Sequence, residues 1–197
     1  MGTPGNVLVG PVLMYHRDFA AANDDPVSAT QVVNDWSGWT ALGYTTKDSG
    51  LTVTGSEEWF DHEVQEHNSP IDSNLVGESA IIEFEMAESN ALAVAAMMMS
   101  ATYAAASAEG TNPNTMGVGD KATPVLQSFA FTGKGPDSTD ATEGLVYYFP
   151  KVRSDADRAM TFHKAKDRCV KVRLLALMDP ARDAGERLYK VFEITTS

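Results

Sequence analysis

From Ala80 to Met86 the chain reads AIIEFEM, in which Ile82, Phe84 and Met86 alternate with Glu83 and Glu85. A period of two sends successive side chains to opposite faces, so this stretch predicts a strand with one buried and one acidic face. Directly after it, ESNALAVAAMMMSATYAAA has helical composition, with Ser89 or Asn90 placed to cap its N-terminus. Leu92, Ala95, Ala96 and Met99 fall on one stripe, which predicts an amphipathic helix packed on a sheet. Upstream, the apolar run Val7–Met14 is broken by Gly10-Pro11 and reads as an edge strand or an arm, followed by a polar loop. From Trp36 to Val64, aromatic and β-branched residues with glycine punctuation predict strands and a hairpin, with Asp48-Ser49-Gly50 as its turn. NSPIDSNLVGES (68–79) lacks a period and reads as a loop.

Downstream of the helix, 107–124 reads as a loop, and strand patterns then recur in VLQSFAFTG, LVYYFPKV, CVKVRLLALMD and RLYKVFEITT. Lys171, Arg173 and Lys190 are expected on outward faces, and PARDAG (180–185) as the turn of a final hairpin. The sum is a mainly β (α+β) protein, a β-sandwich or barrel with one flanking α-helix. At 197 residues a single domain over 1–197 is expected, with an N-terminal arm at about 1–35.

Composition narrows the function classes. No run of 18 apolar residues is present, so no membrane span is expected. The first residues, MGTPGNVLVGPV, lack a secretory pattern, and the chain is expected to stay in the cytoplasm where it is made. The single cysteine, Cys169, can make no internal disulfide. A net charge of −12 argues against sequence-independent binding of DNA on an exposed surface. The charge is uneven: Lys47–Glu88 holds eleven acids and one base, whereas Lys151–Lys190 holds eleven bases and six acids. Two solvated faces would account for this, and so would head-to-tail association of an acidic patch on one copy with a basic patch on the next.

Catalytic signatures are missing. The sequence contains no phosphate-binding Gly-x-x-x-x-Gly-Lys-Ser/Thr, no dinucleotide-binding Gly-x-Gly-x-x-Gly at a strand-to-helix junction and no Gly-x-Ser-x-Gly elbow. DHEVQEH (61–67) gathers two histidines and three acids, but His62 and His67 are five residues apart. That spacing separates them by roughly 140° on a helix and puts them on opposite faces of a strand, so they are not expected to chelate one metal. No enzymatic activity and no cofactor are expected.

The order of features from Trp39 to Met97 resembles the major tail tube proteins of long-tailed, siphovirus-type bacteriophages. The similar elements are the Trp39–Leu42 opening with Gly43-Tyr44-Thr45, Gly50-Leu51-Thr52, Ser69-Pro70-Ile71-Asp72, the Gly77-Glu78 turn, and the alternating strand that runs through Ala87-Glu88 into a helix. The resemblance covers about 60 residues and rests on their order, since no single motif is diagnostic. It implies a ring, typically of six copies, stacked head-to-tail into a hollow tube in the virion tail. Such a tube is assembled in the host bacterial cytoplasm and carries genomic DNA without binding it specifically. Tail tip or initiator, tape-measure and terminator proteins are implied as partners, and a membrane is not.

The resemblance also implies a long hairpin loop at about 58–78 that reaches a neighbouring ring. Asp61, Glu63, Glu66, His67 and Asp72 are then candidate inter-ring residues, with Arg153, Arg158, Lys164 and Arg168 as basic partners on another copy. An acidic lumen would repel the phosphates of transiting DNA; six copies at −12 would carry −72, and Glu83 and Glu85 are candidate lumen residues. Two other classes compete with the tube: a monomeric or small-oligomer β-sandwich module that binds or decorates a virion, and a hydrolase using an acidic pair with His62 or His67.

Overall fold

The computed structural model describes residues 12–20, 25–26, 36–46, 50–62, 72–87, 91–99, 101–105, 113–119, 125–134, 144–155, 159–161 and 169–194. Within them lie eleven strands and one helix. In chain order these are β1 (Leu13–Asp18), β2 (Thr40–Tyr44), β3 (Leu51–His62), β4 (Asp72–Met86), α1 (Ala91–Met98), β5 (Ala101–Ala104), β6 (Thr115–Val118), β7 (Gln127–Lys134), β8 (Gly144–Ser154), β9 (Ala159–Thr161), β10 (Cys169–Ala176) and β11 (Lys190–Ile194). The protein is mainly β with one short helix. Nine strands form one antiparallel sheet in the order β2-β1-β7-β8-β10-β4-β3, with β11 beside β8 and β9 beside β10, and β5 and β6 form a separate pair.

The long strand β8 organises the sheet. Along one side it pairs with β7; along the other, Gly144–Tyr148 pairs with β11 and Val152–Ser154 pairs with β10. Between these halves sits Pro150, which has no N–H to donate. There the β7 ladder jumps from Phe129↔Phe149 to Gln127↔Val152, and the Ser128 hydroxyl donates to the Pro150 carbonyl at 2.6 Å. Such an irregularity bends a strand, and the sheet curls. The curl shows in the core: Phe84 of β4 meets Phe131 of β7 edge-on at 5.3 Å, although the two strands are three places apart, about 14 Å in a flat sheet. The edges approach through one bridge, Thr45↔Met86, flanked by Thr46 N–H donating to Glu85 O and Ala87 N–H donating to Tyr44 O. One bridge is not a ladder, so the barrel form of the expected architecture is not realised as a closed barrel.

The concave face encloses the larger core, which includes Met14, Leu42, Ile82, Phe84, Met86, Phe129, Phe131, Phe149 and Leu174. The alternation read from AIIEFEM holds here: Ala80, Ile82, Phe84 and Met86 are buried. The opposite face of β1, β7, β8 and β11 carries a second cluster built on Ala130, Val146, Tyr148 and Ile194. Trp36 stacks on Tyr15 at 3.9 Å and meets Trp39 edge-on, covering that face. Both faces of β7 are therefore buried, which is why Gln127–Phe131 is inaccessible on both sides.

Several expectations change. Helix α1 is not amphipathic; Ala93, Val94, Ala95, Ala96 and Met97 are all buried, as a helix apolar on every side must be. It ends at Met98 rather than continuing, because Met99 adopts a left-handed φ of 51° and residues 101–104 pair with β6. Leu13–Asp18, expected within an N-terminal arm, is an interior strand between β2 and β7. Asp72–Ser79, read as loop, belongs to β4. PARDAG is no hairpin turn: β10 and β11 do not pair with each other but follow one another along the same side of β8.

Candidate assembly site

Pairing of β4 with β10 stops at Ile81, while β3 and β4 remain paired out to His62↔Asp72. From Gly55↔Ala80 outward the hairpin is therefore a two-stranded ribbon. Its eight β3 residues at about 3.4 Å each give an arm of about 27 Å. Register follows the alternation: the core-facing side of β4 continues outward through Glu78, and a bulge at Glu58/Trp59 leaves Val76 as the extra residue. Beyond it, Trp59 is paired with Leu75 on one face and Phe60 with Asn74 on the other. These apolar side chains are exposed: Trp59 by 53%, Phe60 by 56%, Leu75 by 42% and Val76 by 61%.

Local polar contacts hold the arm in shape. Ser73 Oγ donates to Asp61 Oδ1 at 2.6 Å, the Trp59 indole N–H donates to Glu57 Oε2 at 3.1 Å, and the Asn74 amide lies 2.8 Å from His62 Nε2. Phe60 meets the His62 ring edge-on at 5.0 Å. None of the ion pairs among the described residues involves Glu57, Glu58, Asp61, Asp72 or Glu78. An isolated two-stranded hairpin is marginal in water, and the described part of this arm leaves apolar side chains exposed on both faces.

The candidate lumen acids sit elsewhere, on the convex face of the sheet, and they have neighbours. Glu85 pairs with Lys171 at 3.3 Å and Glu83 with Arg173 at 3.7 Å, across the β4–β10 register. Arg173 also reaches Asp155 at 3.1 Å, and Asp155 lies 3.9 Å from Arg153. Among the described residues this network sets three acids against three bases, so its potential is far weaker than two bare glutamates would make it. Arg153, expected to pair with another copy, thus already has an acid beside it. Of the remaining candidates, Glu63, Glu66, His67, Arg158, Lys164 and Arg168 lie outside the described residues. Among the described residues no three histidine, cysteine or acidic side chains gather as a metal site would require.

A second polar cluster escaped sequence reasoning. In the connection from β10 to β11, Asp179 is buried and accepts a hydrogen bond from Ala181 N–H. Arg182 reaches Asp25 at 2.6 Å and Asp179 at 3.6 Å, donates to the Tyr148 hydroxyl at 3.1 Å, and lies over the Tyr148 ring. Lys190 joins through Asp25 and Glu186, so it is not the outward-facing base expected. Burial pushes the Arg182 guanidinium down, but the hydrogen bond to Asp25 and the charges of Tyr148, Asp25 and Asp179 outweigh it, and its pKa is raised. Lys190 is raised first by its hydrogen bond to Glu186. The cluster joins residues 157 positions apart, a pairing with no local signal. The arm's apolar patch did have one, the aromatic pair in EEWF amid acids.

No protein-family model matches the chain, and no curated protein is significantly similar to it.

Proposed function

We propose that the protein is a structural virion component that assembles into stacked rings, forming a hollow tail tube through which DNA passes. The observation that carries this reading is the β3–β4 arm. It projects beyond the sheet, exposes Trp59, Phe60, Leu75 and Val76, and belongs to a stretch, Glu57–Glu78, with seven acids and no lysine or arginine. An appendage of this kind gains its stability between subunits, as a tube-forming subunit requires. The charge balance at Glu83 and Glu85 bears on the lumen: a neutral wall neither holds nor strongly repels a polyanion, so repulsion of DNA would have to come from other acids.

Electron microscopy of the purified protein at high concentration, beside size-exclusion chromatography, tests the reading. Hollow tubes, or rings with a central channel, are expected. A discrete small oligomer without a channel would replace the tube by the binding or decoration module. Reversing the charge of Glu63 and Glu66 together is expected to impair tube growth while the far-ultraviolet circular dichroism stays unchanged; unimpaired growth would remove the role assigned to the arm's charges.

A further inference from the structure

At the end of the sheet from which the arm projects, two strand edges are left open. β10 and β11 lie end to end in one row beside β8, with Ala176 opposite Val152 and Lys190 opposite Tyr148, and β4 flanks that row along β10. The flanking stops at Ile81↔Leu175. Residues 72–80 of β4 therefore have no ladder partner on this side among the described strands, and neither has β11 on its side away from β8. The connection between β10 and β11 turns to the convex face, where Arg182 lies over the Tyr148 ring.

The two open edges are level with each other. Leu175 has Ile81 on one side and Arg153 on the other; six residues further along, β4 reaches Leu75 and β8 reaches Tyr147, the partner of Val191. The extra residue of β4 at Val76 and the one that β8 carries between Phe149 and Val152 cancel in this count. Leu75 and Val191 also share a side of the sheet: Leu75 pairs with Trp59 on the continuation of the core-facing side, and Val191 pairs with Tyr147, which packs on the larger core. Val191 is exposed by 42% and its neighbour Tyr189 by 39%, so uncovered apolar side chains stand at both edges. In this register Glu193 faces Ser73 and Asp72 faces Ile194, and no acid meets an acid.

We propose that the arm is a hinged strap with two positions: the extended one described above, and a closed one in which β4 zips antiparallel onto β11 of the same chain, with Leu75 beside Val191. An open edge bearing apolar side chains recruits a strand. Because the arm is tethered to the sheet at Ile81, its effective concentration at β11 exceeds that of a second copy in dilute solution. The hinge falls at Gly55↔Ala80, the first pair beyond the β10 ladder. A Cβ on Gly55 would meet nothing within 4 Å, so packing does not require glycine there; backbone freedom is what glycine supplies. The consequence rests on the self-assembly reading: closure withdraws Leu75 and Trp59 from a neighbouring subunit and holds free subunits apart.

A disulfide lock tests this. In a Cys169→Ser background, Leu75→Cys with Val191→Cys replaces two exposed side chains, and circular dichroism verifies folding. Closure brings these positions to about 4.5–5.5 Å between Cα atoms, within disulfide reach. Oxidised at micromolar concentration, the variant should form an intrachain disulfide, read by mass spectrometry, about tenfold or more faster than Leu75→Cys with Val118→Cys on exposed β6. Equal rates overturn the inference. So does a disulfide that forms only between chains when the two single variants are mixed, which would give the β11 edge to a second copy. The locked chain should stay monomeric in sedimentation velocity where the reduced chain forms larger species. A locked chain that still assembles supports closure and overturns the arm's role in assembly; tubes from a variant that forms no intrachain disulfide overturn closure alone.

Discussion

Replacing Arg182 by methionine keeps most of the side chain's length but removes its charge from a site where that charge is only 14% exposed. Asp179, with 4% of its side chain exposed, would then be left with backbone donors alone, and Asp25 would keep only Lys190. Breaking a buried pair by removing one partner costs about 3–5 kcal/mol, because the remaining carboxylate keeps its desolvation penalty. Asp25 retains contact with water, which places the expected loss near the lower end, about 3 kcal/mol. The comparison is Lys171→Met, which breaks an ion pair of the same chemistry on the exposed convex face and should cost less than about 1 kcal/mol. Urea unfolding of both variants, followed by circular dichroism at a concentration where the chain is dispersed, reads the difference in midpoint. Adding Asp179→Asn to Arg182→Met removes the orphaned charge and should recover about 1 kcal/mol or more. If Arg182→Met is no more destabilised than Lys171→Met, or if the double variant recovers nothing, the cluster is not the anchor of the β10–β11 connection.

Other outcomes follow from the same geometry. Phe131→Ala empties a fully buried site bounded by Phe84, Phe129 and Phe149 and should cost about 3–5 kcal/mol in the same assay. Both ring nitrogens of His16 are shut from solvent without a hydrogen-bond partner, and burial lowers its pKa from the ordinary 6.5. Asp18 and Gln127 push the other way, yet Gln127 Oε1 is itself unpaired, so the two groups are not aligned as a hydrogen bond. The unfolded chain then takes the proton first: stability is whole above the unfolded value and is lost as pH falls from 6.5 toward the folded one. Wild-type unfolding midpoints should drop between about pH 8 and pH 5, and His16→Leu should flatten that drop; parallel curves would refute it. Trp59→Ser with Leu75→Ser should leave the midpoint within about 0.5 kcal/mol while abolishing larger species in sedimentation velocity, since neither side chain touches the core.

The strands were legible wherever one face meets solvent and the other meets the core. Ile82, Phe84 and Met86 declare their burial by alternation, and Glu83 and Glu85 mark the opposite face, Glu83 exposed and Glu85 half-buried. Reading failed where that contrast vanished. In Ser73–Val76 both faces are exposed, so no period marks the strand; only its pairing with β3 makes it one. In α1 all described sides are buried, so the stripe expected of an amphipathic helix dissolves into a uniformly apolar run. That the described part of the arm would expose four large apolar side chains was not anticipated.

Local chemistry along the chain thus determined the mainly β class, the existence of the helix, the edges of most strands and the division into acidic and basic halves. Tertiary structure decided the rest: that β10 and β11 share one side of β8 instead of forming a hairpin, that Arg182 and Lys190 converge on Asp25, and that Glu83 and Glu85 face bases on β10. The physical reason is the range of the forces. Periodicity and turn propensity act over a few residues and leave a mark in the sequence, whereas strand order and ion pairing join residues up to 165 positions apart and are selected only when the whole sheet closes over its core.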